Sequence, residues 1–91
     1  MPTMIEFKAT IIADVDSGMD IAHIDIPMEI SQQFIKGVVY VQATFNGEPW
    51  EGRMMKWKTP HHMIGINKGI RAKIGKNPGD TIHVTITEKK Q

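Results

Sequence analysis

The sequence predicts a mostly β domain that closes, or nearly closes, into a small barrel with pseudo-twofold symmetry and two short helices. Three observations carry this. The first is that the chain repeats itself: residues 24–41 read IDIPMEISQQFIKGVVYV and residues 64–84 read IGINKGIRAKIGKNPGDTIHV. A shift of forty positions pairs Ile24 with Ile64, Ile26 with Ile66, Ile30 with Ile70, Phe34 with Ile74 and Lys36 with Lys76. Three extra residues in the second loop then pair Val39 with Ile82 and Val41 with Val84. Internal self-similarity bears on the whole architecture, and two copies within 91 residues suit a barrel, not a solenoid. The second observation is alternation of apolar and polar residues at period two, the mark of half-buried strands. The third is that Ile30/Phe34 and Ile70/Ile74 are each spaced by four, so each pair shares one helical face. Isolated helices need roughly 12–15 residues to persist in water, so these shorter ones must pack on the sheet. Closing that sheet removes its exposed edges.

In chain order, Ile5, Phe7, Ala9 and Ile11 alternate with Glu6, Lys8 and Thr10 as a first strand. Asp14 to Gly18 is an acidic turn in which Gly18 can take positive φ. Ile21 to Ile26 is a second strand, with Ala22, Ile24 and Ile26 on one face and Ile21, His23 and Asp25 on the other. Pro27 lacks an N–H and has a fixed φ, which suits the first helical position. Glu29 in that first turn favours the positive end of the helix dipole. Val38 to Phe45 is the strongest strand, rich in β-branched and aromatic side chains. Asn46-Gly47 follows it as the preferred pair for a type I′ hairpin. The returning strand carries Trp50 and Met54 and extends toward Trp57, with Pro49 and Gly52 marking an edge or a bulge. Thr59-Pro60 is a loop. Met63, Ile64 and Ile66 form a short strand leading to Asn67, a good N-cap, and Gly75 is a suitable helix terminator. Asn77 to Asp80 is a turn by composition. Ile82, Val84 and Ile86 make the last strand, and 88–91 is a frayed tail.

One domain, 1–91, accommodates this length. Cysteine is absent, so there is no disulfide framework, thiolate metal site or cysteine nucleophile. The N-terminus lacks a cationic stretch followed by an apolar run, and no apolar stretch approaches the ~20 residues that span a bilayer. The expectation is a soluble cytoplasmic domain. Net charge is +1, but the cations are unevenly placed. Up to Glu51 the only cations are Lys8 and Lys36, against eight acids. From Gly52 to Gly79 there are Arg53, Lys56, Lys58, Lys68, Arg71, Lys73 and Lys76 and no acid. Such asymmetry can create a local field that attracts anions, unless folding interleaves the two halves.

Candidate chemistry is sparse. His61 and His62 are adjacent, so on a strand they point to opposite faces; a metal would need His23 or His83 brought close, and a solvated loop pair is the plainer reading. Ser17 and Ser31 are the only serines, and neither lies beside a histidine in sequence as an activated nucleophile requires. Asp14 and Asp16 read as turn formers, and Asp80 as an acceptor of turn backbone bonds. No glycine loop of phosphate-cradling type is present. The basic segment carries the strongest functional signal: Trp50, Arg53, Lys56, Trp57, Lys58, His61, His62, Lys68 and Arg71 as a ligand or polyanion surface. Cations would bind phosphates and tryptophan would stack on single-stranded bases. A pI of 8.1 lies below the value of about 9 expected of a dedicated nucleic-acid module.

The segment His61 to Ile86 resembles the swapped-hairpin barrels of the AbrB and MazE transcription-factor group. In that group a strand ends in Ile-Pro, a short helix carries Ile-Arg, and Gly-Asp opens the next strand. Ile70-Arg71 and Gly79-Asp80 stand in those places; Asn67 replaces the proline that the first copy keeps at Ile26-Pro27. From Phe7 to Glu88 the chain is also similar to an uncharacterised bacterial family, sometimes fused to a segment named after YdeI and OmpD-associated proteins. Phe7-Lys8-Ala9-Thr10, Ile24-Asp25-Ile26-Pro27, Phe45-Asn46-Gly47, Asn67-Lys68-Gly69-Ile70-Arg71 and Gly79-Asp80-Thr81-Ile82 carry that likeness. It implies a double-split β-barrel with both halves in one chain, and no activity.

The sequence therefore points to a non-enzymatic binding or accessory domain with no catalytic residues, metal or cofactor. Its partner is an unidentified ligand or protein, it is not a membrane protein, and one chain holding both halves suggests a monomer. A nucleic-acid-binding protein is the alternative, and an enzyme of unknown type a weaker one.

Overall fold

The computed structural model describes residues 4–13, 22–56 and 59–89. The expected turn at 14–18, together with Ile21, Trp57, Lys58 and the last two residues, lies outside them. The elements are β1 (Ile5–Thr10), β2 (Ile12–Ala13), β3 (Ala22–Asp25), α1 (Met28–Ser31), β4 (Val38–Phe45), β5 (Glu48–Met55), β6 (Met63–Gly65), α2 (Lys68–Ile74) and β7 (Thr81–Glu88). The strands form one antiparallel sheet in the order β1-β7-β4-β5-β6-β3-β2, curled into a nearly closed barrel. The mostly β barrel with two short helices read from the sequence is the architecture observed.

One stretch of chain serves both ends of the sheet. β1 pairs with β7 from Ile5↔Ile86 to Thr10↔Thr81, whereas β2 pairs with β3 through Ile12↔His23 and Ala13↔Ala22. Between them Ile11 donates its N–H to Asp80 O at 2.9 Å and accepts the Gly79 N–H at 2.8 Å. On the other side β3 meets β6 with Ile24 opposite Ile64. Ile26 N–H reaches His62 O at 2.9 Å, and Ile66 N–H reaches Ala22 O at 2.8 Å. Adding forty to the first donor and subtracting forty from the first acceptor gives the second bond.

The period-two pattern sets the core. Ala9, Ile11, Ile24, Ile26, Val39, Val41, Ala43, Phe45, Ile64, Ile66, Ile82, Val84 and Ile86 are buried, and Ile30, Phe34, Ile70 and Ile74 pack half-buried against them. Fully burying an isoleucine, valine or phenylalanine of this set stabilises by about 1.5–3 kcal/mol. The hairpin forms as its residues require, with Asn46 at φ 50° and Gly47 at φ 86°, both positive as type I′ demands.

Three local expectations are corrected, and of the two readings offered for β5 the edge is the one observed. Pro27 is the cap, at φ −52° and ψ 140°, not the first helical residue, and it offers no side-chain acceptor. α1 is consequently a four-residue turn, and Phe34 comes inward through tighter bonds, Gln33 N–H to Ile30 O and Phe34 N–H to Ser31 O. β5 has no bulge: its register against β4 is unbroken from Val38↔Met55 to Phe45↔Glu48. It is instead an edge for most of its length, meeting β6 only at Met55↔Met63 among the described residues. Gly52 is small because Trp50 lies over it: a Cβ there would sit 2.5 Å from the indole. Finally, Glu88 is not frayed but closes β7 opposite Val41, and Lys89 bonds Tyr40 O at 2.7 Å and the Glu51 carboxylate.

Candidate functional site

The hairpin decides where the basic segment can act. Lys56 donates its N–H to Gly37 O at 2.9 Å, so the even-numbered residues of β5 turn their backbone groups toward β4. Side chains alternate likewise: Trp50, Gly52 and Met54 face the core, while Glu51 and Arg53 face outward. Trp50 packs on Phe45 with ring centroids 5.6 Å apart. Arg53 is exposed, opposite Tyr40. A stacking platform made jointly by Trp50 and Arg53 is therefore excluded by strand parity, a signal already present in the numbering. A groove of about 490 Å³ nevertheless lies over β4, β5 and β7, lined by Met4, Gln42, Ala43, Thr44, Pro49, Glu51, Thr85 and Thr87 and, of the residues proposed from sequence, by Trp50. Its hydroxyls bond each other, Thr44 Oγ1 to Thr85 Oγ1 at 2.6 Å, and Glu51 is held by Lys89.

The two histidines diverge. His61 Nε2 lies 3.0 Å from Asp25 Oδ1, and His23 Nε2, two residues before that aspartate on β3, lies 3.3 Å from the same oxygen. Among the described residues no group of three or more ligand-type side chains is arranged to hold a metal. His62 is not a solvated loop residue, as expected from sequence, but is 0% exposed. Its Nε2 is 2.7 Å from Lys36 O, its Nδ1 2.5 Å from Ser31 Oγ, and its backbone N–H reaches the same Oγ at 2.9 Å. A carbonyl can only accept, so Nε2 carries the proton. In that neutral tautomer Nδ1 accepts from the Ser31 hydroxyl. Ser31 thus stands beside a histidine after all, thirty-one residues away in sequence. At 1% exposure the hydroxyl is closed off from any substrate, and a substrate must reach the attacking atom. The pair pins α1 to the chain before β6.

Arg71 occupies the corresponding station on α2. It is 7% exposed, and its Nε donates to Ile66 O at 3.3 Å, so much of it is wall rather than free surface. Where the first segment sets a small Ser31 against a large His62, the second places a large Arg71 beside the strand whose counterpart residue is Ala22.

α2 is built from its ends. Asn67 Oδ1 accepts the Ile70 N–H at 2.9 Å, and Gly75 at φ 67° reverses the chain. Lys76 N–H to Arg71 O at 3.1 Å and Gly75 N–H to Ala72 O at 3.3 Å complete a Schellman ending. Asp80 Oδ2 then fixes the Asn77 N–H at 2.8 Å. The result is a pocket of about 320 Å³ lined by Lys68, Arg71, Ala72, Gly75, Lys76 and Asn77. Of the residues proposed from sequence, this pocket brings together Lys68 and Arg71 only; Trp50, Arg53, Lys56, His61 and His62 do not line it. Lys76 and Asn77 were missed as site residues, because only the reversal at Gly75 returns them to the helix. Lys76 was visible in the basic run; nothing local distinguished it.

No curated protein matches the chain. Residues 7–86 match a family described as a domain of unknown function, DUF1905. That match spans β1 through most of β7, including both helices and the pocket, so the chain belongs to the DUF1905 family.

Proposed function

We propose that the domain is a small non-enzymatic binding module that receives an anionic group on its α2 side. The observation that supports this is the α2 pocket, to which, among the described residues, Lys68, Arg71 and Lys76 contribute and no carboxylate does. Cations converging on a concavity with protein walls focus an attractive field on anions. Among the described residues nothing comparable favours catalysis: the contact between Ser31 and His62 is sealed inside the barrel. The AbrB-like alternative, nucleic acid, asks for cations and stacking rings along one track. Trp50 and Arg53 instead lie on opposite faces of β5. Because both halves of the barrel lie in one chain, the module acts as a monomer.

Thermal unfolding at low ionic strength, with and without pyrophosphate or heparin, tests the reading. The expected outcome is a saturable rise in Tm that is lost in the Lys68→Gln/Lys76→Gln double variant. No response to either probe would overturn it. Labelled single- and double-stranded DNA supply the contrast. Binding that weakens steeply with salt and survives the double variant would put the nucleic-acid reading in its place.

A further inference from the structure

We infer that the α2 pocket is a site for one terminal phosphate group carried by a small molecule. This rests on the anion-binding reading above and names its ligand class.

Lys68 and Ala72 are four apart on α2, one helical stripe, and the reversal at Gly75 brings Lys76 back to the same pocket. Ala72 contributes only a methyl to the lining, and Gly75 and Asn77 belong to it as well. Among the described residues neither Lys68 nor Lys76 has a carboxylate within ion-pair distance, whereas Lys73, which does not line the pocket, lies 4.0 Å from Glu48. Two lysines thus line one pocket, and among the described residues no carboxylate pairs with either. A phosphate monoester carries about −1.5 to −2 at neutral pH, which matches them. A carboxylate or an internal phosphodiester brings only one negative charge and leaves one lysine uncompensated. The Arg71 side chain, 7% exposed and tied through Nε to Ile66 O, gives the pocket a fixed wall, and the Asn77 amide adds neutral donors. A volume of about 320 Å³ falls at the small end of the roughly 300–1,000 Å³ typical of small-molecule sites. It admits one phosphate and a modest substituent, not a strand.

The barrel itself does not need these charges. Forty residues earlier, Met28, Ser31, Gln32 and Lys36 stand where Lys68, Arg71, Ala72 and Lys76 stand. α1 packs its half-buried Ile30 against the core with only one of the three cations. The lining is different too, since Gln32 stands where Ala72 contributes only a methyl. The second segment has thus acquired a smaller side chain and two added cations together, a combination that helix packing does not explain.

The test is a titration followed by amide NMR shifts on the intact chain, using inorganic phosphate, phenyl phosphate, dimethyl phosphate, acetate and a single-stranded oligonucleotide. The expected result is saturable shifts centred on residues 68–77 for phosphate and phenyl phosphate. Dimethyl phosphate and acetate should bind at least about tenfold more weakly. Lys68→Gln and Lys76→Gln, both surface changes, should each weaken phenyl phosphate by about tenfold with Tm unchanged. Equal affinity for acetate or the diester, or shifts outside 68–77, overturns the inference. If the oligonucleotide or heparin binds through these lysines while the monoester does not, the phosphate assignment falls and the anion-binding module stands. If no anion responds to removal of the lysines, both fall.

Discussion

At His62 every polar atom of the side chain is used, and the residue lies wholly inside the fold. Replacing it with alanine removes the imidazole and leaves the Ser31 hydroxyl and the Lys36 carbonyl without their partner. Lost packing and unsatisfied groups together cost about 2–4 kcal/mol. Urea unfolding of His62→Ala should show that loss, and Ser31→Ala a smaller one of about 1–2 kcal/mol. Gly52 offers a second test at this scale, because an added methyl must displace the Trp50 indole from Phe45. Gly52→Ala should cost about 1–3 kcal/mol through overpacking and change the tryptophan emission. An unchanged spectrum and midpoint would mean that the ring does not lie where it is described. Neither environment could be read locally. His62 looked solvated beside Pro60 and His61, and what buries it is a serine on another element.

The two helices differ in how much of their own definition they carry. α2 has Asn67 at its start and Gly75 at its end, each performing the role its chemistry predicts. Asn67→Ala should cost about 0.5–2 kcal/mol. Gly75→Ala, which forces a Cβ into the left-handed region, should cost roughly 1 kcal/mol; chemical denaturation measures both. α1 has Pro27 and no capping oxygen, so its extent depends on Ser31 finding His62. That is why α2 was legible in the sequence almost residue by residue, while α1 was legible only as an inward pair, Ile30 and Phe34. Among the strands, Val38–Phe45 and its Asn46-Gly47 hairpin needed nothing beyond alternation and turn chemistry. Pro49, which allowed an edge or a bulge, marks the edge: it sits where the backbone turns away from β4 and the ladder needs no donor.

Across the whole molecule, apolar alternation carried the fold because it is a property of neighbours in sequence. The site was only half legible because convergence of charge is not. The run from Gly52 to Gly79 holds seven cations, and the barrel distributes them. Arg53 goes to the outer face of β5, Lys73 to Glu48, and Lys68 and Lys76 to the α2 pocket. The stretch around Ile11 joins the two ends of the sheet within one chain, and the edge left open along β5 carries Pro49, which cannot donate to an added strand. Sedimentation should accordingly give the mass of one chain, and a concentration-independent dimer would contradict that. The bond between Ser31 and His62 has a last consequence, one that concerns descent rather than energy. A small hydroxyl and a large imidazole divide a fixed volume and satisfy each other, so neither can drift without the other. Among DUF1905 relatives, positions 31 and 62 should change in concert, and a lineage that loses the imidazole should gain bulk or a new polar partner at the serine. An alignment in which the two vary independently would show that the lock between helix and strand is a local habit of this chain.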